Sequence, residues 1–174
     1  MTHEAARRLC VTAMLMAMNV VMSSFGVPVP GGHLYLNDVV ICTAALLLDP
    51  VAAFCVGGVG AFLGDLLFYP LPMFVSLVTH GLQSVVISLC ARNLFCKKRT
   101  DPDDFGAADL GAAVIGVTLG AVIMVAGYSL GRAYIYSTPE YALLKLPYQI
   151  LQAAVGALAG VVLYRPLRKF RQHV

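Results

Sequence analysis

Long apolar stretches separated by short polar breaks occupy most of this chain between Leu9 and Leu163. All but one of them reach the roughly 17 to 25 residues that an α-helix needs to cross a bilayer. The exception is the second stretch, which is short for a span and requires a tilt or cover from its neighbours. The pattern predicts an all-α membrane protein, a six-transmembrane-helix bundle with helices at about 9–25, 36–48, 51–68, 73–95, 107–130 and 143–164.

Glycine and proline mark the breaks between the predicted helices, because both residues interrupt helical geometry. Five of them lie within residues 26–32, and Asp49 with Pro50 forms a tight turn after the second helix. The segment 25–36 carries Leu34 and Tyr35, which suit a cover over an apolar ring. We interpret it as a lid loop between helices 1 and 2.

Composition agrees with a membrane location. Of the 174 residues, 59% are hydrophobic and 12% are charged, and the mean hydropathy is +0.81. Such a chain has too little polar surface to cover a water-soluble globule. We therefore expect a single integral membrane domain over residues 1–174.

The net charge is +3, and ten of the twelve basic residues lie in three clusters at helix ends. With an even number of spans, all the clusters fall on one side, which the positive-inside rule assigns to the cytoplasm. We expect a multi-pass protein of the cell membrane with both termini cytoplasmic and no binding of nucleic acid. The clusters are Arg7 and Arg8; Arg92, Lys97, Lys98 and Arg99; and Arg165, Arg168, Lys169 and Arg171.

Small residues four positions apart recur along the helices and allow close approach of helix backbones in lipid. We predict helix packing at the glycine pairs 60/64, 116/120 and 156/160. Ala13 and Ala17 in helix 1 form a similar pair, whose flat face could also dock a partner helix.

Polar side chains inside the predicted spans are the candidate functional residues, because they are costly in hydrocarbon. One face of helix 4 carries Ser76, His80 and Gln83, and one face of helix 6 repeats the pattern. Nearly all of these groups fall in the outer half of the bundle, which favours a cup open to one side over a channel. The candidate substrate-binding residues are Asp65, His80, Gln83, Gln149, Gln152, Asn19, Asp38, Lys145 and Tyr35.

Each candidate also has a structural interpretation. Asp65 can pair with Lys145 or cap a helix end, and His80 can be a hydrogen-bonded packing residue. Asp38 can serve as the N-cap of helix 2. The three glutamines can bond to one another across helices.

Motifs for catalysis and metal binding are missing from the sequence. It contains no HExxH, GxSxG or GxxxxGK motif, and its histidines and five cysteines are scattered without a CxxC pair. We expect no enzyme activity, no cofactor, no metal centre and reduced thiols.

The sequence resembles the substrate-binding S components of energy-coupling factor (ECF) transporters. The resemblance covers nearly the whole chain. It rests on GHLYLND (32–38), Asp49-Pro50, GGVGAFLGDL (57–66), THGLQ (79–83) and LPYQILQ (146–152). Many relatives have lysine where His80 stands, so the ligand does not transfer by resemblance.

The resemblance implies a six-helix subunit of an ABC-type importer that captures a vitamin or related precursor. It also implies docking on a membrane T component through Ala13 and Ala17, and two cytoplasmic ATPases that supply the energy. Pyridoxine-like, pyrimidine, flavin and deazapurine (queuosine-precursor) substrates are all compatible. The alternatives are a stand-alone homo-oligomeric channel or secondary carrier, and a small intramembrane enzyme.

Overall fold

The computed structural model describes residues 3–30, 32–93 and 107–171. Six helical segments follow one another along this part of the chain. They are α1 (His3–Ser23), α2 (Asn37–Leu47), α3 (Pro50–Phe68), α4 (Met73–Asn93), α5 (Ala107–Gly131) and α6 (Pro139–Arg171). The predicted loop at Lys97 to Arg99 lies outside the described residues.

All the helices but α2 are long and apolar enough to cross a membrane, which makes five candidate spans in the described residues. α2 has 11 residues, which corresponds to about 16 Å, or roughly half of a hydrocarbon core. It is preceded directly by a β-hairpin, so that the hairpin occupies the space above the start of α2.

The segment predicted as a lid forms this antiparallel hairpin. Strands β1 (Gly26–Val29) and β2 (Gly32–Tyr35) pair with Gly26 opposite Tyr35 and Val29 opposite Gly32. Gly32 has a φ of +131°, a backbone conformation that residues with a side chain rarely adopt. The glycine therefore sets the turn that directs β2 back toward the bundle.

Two helices contain π-helical turns, where one extra residue widens the coil. In α3 the turn is Cys55–Val59, and in α5 the turn Arg132–Tyr136 continues the helix past Gly131. The sequence pattern predicted a plain outer loop from 131 to 141. That prediction was wrong, because the chain remains helical to Tyr136 and starts α6 again at Pro139.

The glycine pairs lie where helices approach most closely, as predicted. A Cβ added at Gly156 would lie 2.5 Å from the Cβ of Asp38 in α2, and one at Gly160 would lie 2.6 Å from the Cβ of Cys42. Gly64 is close to Ser23 of α1 in the same way. These contacts hold α6 against α2 and α3 against α1.

The apolar core lies toward the end of the bundle that carries the α2–α3 turn. Ile87 of α4, Val117 of α5 and Leu46 of α2 meet there with 3% exposure or less. At the turn, Asp49 caps α3 by accepting hydrogen bonds from the N–H groups of Val51 and Ala52. The buried polar side chains of α4 and α6 continue from this core toward the hairpin.

Candidate substrate-binding site

A cavity of about 430 Å³ lies between the hairpin and the ends of α3, α4, α5 and α6. This volume is in the range of small-molecule sites. Of the nine candidate residues from the sequence, six line it: Tyr35, Asp65, His80, Lys145, Gln149 and Gln152.

The two predicted polar helix faces both point into the bundle. Ser76, His80 and Gln83 of α4 are at most 1% exposed, and Lys145, Gln149 and Gln152 of α6 are at most 7% exposed. Residues spaced by three or four positions share a helix face, so each set acts as one strip. All three residues of the α6 strip line the cavity, and the α4 strip contributes His80 to it.

The floor of the cavity is a hydrogen-bond network centred on the buried carboxylate of Asp38. Gln83 donates to its Oδ1 at 3.2 Å, and Gln152 donates to its Oδ2 at 2.6 Å. The side-chain oxygen of Gln83 lies 2.7 Å from Nδ1 of His80. Asp38 itself does not line the cavity. Through this network it fixes the orientation of His80 and Gln152, which do.

Gln152 also connects this floor to the lid. Its Oε1 accepts a hydrogen bond from the backbone N–H of Tyr35 at 3.1 Å, while its amide nitrogen binds Asp38. Lys145 makes a second connection by donating to the backbone carbonyl of His33. Both contacts hold β2 against α6 and close the cavity on the hairpin side.

Asp65 forms a separate cluster on the opposite wall. Ser76 donates a hydrogen bond to its carboxylate and also contacts the hydroxyl of Tyr128 at 2.5 Å. The ring of Tyr128 meets the imidazole of His80 edge to face, with centroids 5.2 Å apart. The cluster therefore joins α3, α4 and α5 around one side of the cavity.

Arg132, in the π-helical turn of α5, lies on the α6 side. Its Nη1 donates to Oε1 of Gln149 at 3.2 Å, and its guanidinium lies 5.7 Å from the centroid of the Tyr136 ring. Gln149 donates in turn to the carbonyl of Val125 at 2.8 Å. Arg132 was placed in an outer loop by the sequence pattern and was not among the candidates.

Tyrosine is the residue type that sequence reasoning missed. Five of the eight tyrosines line the cavity, of which only Tyr35 was a candidate. A tyrosine near a span end is normally assigned to the membrane interface, whereas Tyr136, in the π-helical end of α5, lines the cavity. The five are Tyr35, Tyr69, Tyr128, Tyr136 and Tyr141.

Three candidates do not line the cavity. Gln83 and Asp38 lie in its floor network, and Asn19 donates to the carbonyl of Val56 in the π-helical turn of α3 at 2.7 Å. Gly60 leaves room for this contact, since a Cβ there would lie 2.8 Å from Nδ2 of Asn19. Asn19 therefore has a packing role in this structure.

The structural interpretations of the candidates are also resolved by these contacts. Asp65 accepts a hydrogen bond from Ser76, while Lys145 donates to a backbone carbonyl. The three glutamines do not bond to one another within the described contacts. Their partners are Asp38, His80, Arg132 and backbone groups. Asp38 does not cap α2: its N-cap is Leu36, with no side-chain cap bond.

Two buried polar atoms at the cavity have no hydrogen-bond partner within the part of the chain that the structure describes. They are Oδ1 of Asn37 and the hydroxyl of Tyr136, and both residues line the cavity. A buried polar atom without a partner is costly. Such atoms are suited to complete their hydrogen bonds with a bound ligand.

The proposed docking residues lie on a different surface. Ala13 and Ala17 are exposed on α1, together with Met14 and Met18 at 66% and 51% exposure. The face is apolar and flat, with no described segment of the chain covering it.

This chain is similar to a curated protein and to a solved structure of the same fold. A curated protein of Pyrococcus woesei, described as "uncharacterized protein in gap 3'region", is 29% identical over 136 residues, which is 77% of this chain and 82% of the relative. A solved S component of a bacterial ECF transporter superposes with a TM-score of 0.65 at 21% identity, covering 95% of this chain and 98% of the other.

The family model described as "ECF-type riboflavin transporter, S component" matches residues 4–169. The match includes every helix described above and the hairpin over the cavity. The chain therefore belongs to the family of ECF-type riboflavin transporter S components.

Proposed function

We propose that this chain captures a flavin, with riboflavin as the first candidate, in the cavity beneath the hairpin. The observation that carries the proposal is a cavity of about 430 Å³ that combines tyrosine rings with buried amide and imidazole groups and the half-buried carboxylate of Asp65. The family to which the chain belongs is named for riboflavin transport.

Among the substrate classes compatible with the sequence, a flavin matches the lining best. Its ring system is a wide, planar aromatic surface, which stacks favourably on tyrosine. One edge of the ring carries an imide and ring nitrogens that exchange hydrogen bonds with amides and imidazole. His80, Gln149 and Gln152 offer such groups, and Asp65 offers an acceptor on the opposite wall.

The hairpin acts as a lid in this proposal. It is attached to α6 through the Lys145 and Gln152 contacts with the backbone of β2. Breaking these two contacts uncovers the cavity without disturbing the helix core. Ligand entry therefore requires hairpin movement, and a bound ligand that touches Tyr35 favours the closed position.

In the membrane, we place six spans with α2 and the hairpin together filling one span position. The basic clusters support a cytoplasmic location of both termini, and with this orientation the cavity opens to the outside. The chain is one membrane domain. Its transport partners are a T component, docked on the α1 face at Ala13 and Ala17, and two cytoplasmic ATPases.

The test is a titration of the purified protein in detergent with riboflavin, followed by flavin fluorescence, which falls when the ring stacks on tyrosine. We expect saturable quenching that pyridoxine, a pyrimidine base and a deazapurine base do not reverse in large excess. Absence of saturable quenching by riboflavin, with stabilisation by one of the other three compounds, would contradict the flavin assignment.

A further inference from the structure

Two basic side chains line the cavity without an acidic partner. Arg132 and Lys145 both contribute to its wall, and Lys145 is 4% exposed. Among the described residues, neither cation lies within 4.0 Å of a carboxylate oxygen. Their hydrogen-bond acceptors are neutral: the amide oxygen of Gln149 and the backbone carbonyl of His33.

The two cations belong to one region of the cavity. Gln149, which accepts from Arg132 at 3.2 Å, is one helical turn beyond Lys145 on the same face of α6. Lys145 points to the hairpin, where its Nζ is 3.6 Å from the Cβ position of Gly32.

This arrangement is unfavourable in the unliganded protein. A buried charge requires a partner of opposite sign, and two like charges in a shielded cavity raise the cost. The carboxylate of Asp65 also lines the cavity, but it forms no ion pair within 4.0 Å with either cation in the described residues. The two cations therefore lack a direct partner of opposite sign in this part of the structure.

We propose that Arg132 and Lys145 form an oxyanion subsite, which binds a phosphate or carboxylate group of the ligand. Tyr136, whose ring centroid lies 5.7 Å from the Arg132 guanidinium, supplies a third donor through its buried hydroxyl. Arginine presents two parallel N–H groups to such an anion, and lysine adds a point charge.

The proposal rests on the proposed function only in that the cavity is a ligand site. It divides the cavity into an aromatic part for a ring and a cationic part for an anionic substituent. Riboflavin itself is neutral, whereas its 5′-phosphate carries the required group. The subsite therefore favours a phosphorylated or carboxylated ligand over its neutral parent.

The first experiment tests the subsite without a flavin. Thermal unfolding of the purified protein is measured in inorganic phosphate and in chloride at equal ionic strength and pH. We expect phosphate to raise the melting temperature of the wild type and of Arg132→Lys, which keeps the charge, but not of Arg132→Gln. Acetate in place of phosphate distinguishes a carboxylate preference from a phosphate preference. Lys145→Gln serves as the second variant if Arg132→Gln does not fold.

No shift in the wild type, or an equal shift in wild type and both glutamine variants, overturns the subsite.

The second experiment compares riboflavin with riboflavin 5′-phosphate by fluorescence titration, and the phosphate is expected to bind about tenfold more tightly or better. That advantage should disappear in Arg132→Gln.

The two proposals fail separately in these measurements. A phosphate-specific shift without binding of either flavin retains the subsite and rejects the flavin assignment. Equal binding of both flavins without a phosphate shift retains the flavin assignment and rejects the subsite.

Discussion

A methyl group added at Gly156 tests the contact that supports the cavity floor. In Gly156→Ala the new Cβ would lie 2.5 Å from the Cβ of Asp38 and 3.1 Å from its backbone carbonyl carbon. Both neighbours belong to α2, so the clash is relieved only if α2 and α6 separate. Overpacking of this kind costs about 1 to 3 kcal/mol of folding free energy.

The separation also acts on the hydrogen bonds of Asp38. Gln152 donates to its carboxylate at 2.6 Å from the same helix as Gly156. Losing a hydrogen bond to a charged group costs about 1.5 to 3 kcal/mol. If both effects occur, the total is about 2.5 to 6 kcal/mol, and the tie between Gln152 and the hairpin is lost with it.

The matched control is Gly111→Ala, because nothing lies within 4 Å of a Cβ built at that glycine. Alanine is the better helix former, by up to about 1 kcal/mol. Thermal unfolding in detergent, followed by circular dichroism, should show early melting of Gly156→Ala and an unchanged or higher melting temperature for Gly111→Ala. Equal melting temperatures for the two variants would refute the close contact between α6 and α2.

Three further predictions concern other parts of the chain. Burial raises the pKa of Asp49, but the Ala52 N–H and the Arg8 guanidinium, 2.6 Å away, lower it more, so the pKa is below its usual value. The stability that this charge provides is present above about pH 4 and is lost as the pH falls through the folded-state pKa. The melting temperature of Asp49→Asn should therefore be lower than that of the wild type at neutral pH. In acid the two melting temperatures should converge. Ala17→Trp should leave ligand binding to the isolated subunit intact and abolish uptake in a complemented auxotroph, and surviving uptake would reject the docking face. Lys98→Cys should resist labelling from outside intact cells, and strong labelling would reverse the proposed topology.

The sequence was informative where one residue type determines structure locally. Proline and glycine located the hairpin segment, and the capping residue Asp49 located the α2–α3 turn. Spacing along α4 and α6 identified the polar strips, because residues three and four apart share a face whatever the tertiary packing. Four of the six candidates that line the cavity, His80, Lys145, Gln149 and Gln152, lie on these strips.

The remaining site residues depend on helix rotation and contacts between distant segments. Asp38 is a residue type that commonly contacts ligands, but its carboxylate accepts hydrogen bonds from Gln83 and Gln152 on two other helices. Arg132 and Tyr136 reach the cavity from the π-helical turn that continues α5. No local pattern in the sequence marks that extra residue per turn.

Ligand affinity of paired variants tests the central claim, capture of a flavin in this cavity, most directly. Calorimetric titration of riboflavin is performed on the wild type, Asp65→Asn, His80→Leu, Gln149→Leu and Asn19→Leu, with the melting temperature of each. The first three residues line the cavity, while Asn19 is as buried as His80 and Gln149 and its side chain bonds only to the backbone of α3 within the described contacts. Loss of a buried hydrogen-bond partner costs about 1 to 3 kcal/mol, which is roughly five- to more than a hundredfold in affinity.

The account predicts weaker riboflavin binding by at least His80→Leu and Gln149→Leu. It also predicts that Asn19→Leu melts early and binds riboflavin like the wild type. Wild-type affinity in all three cavity variants, or the same loss of affinity in Asn19→Leu, would contradict it.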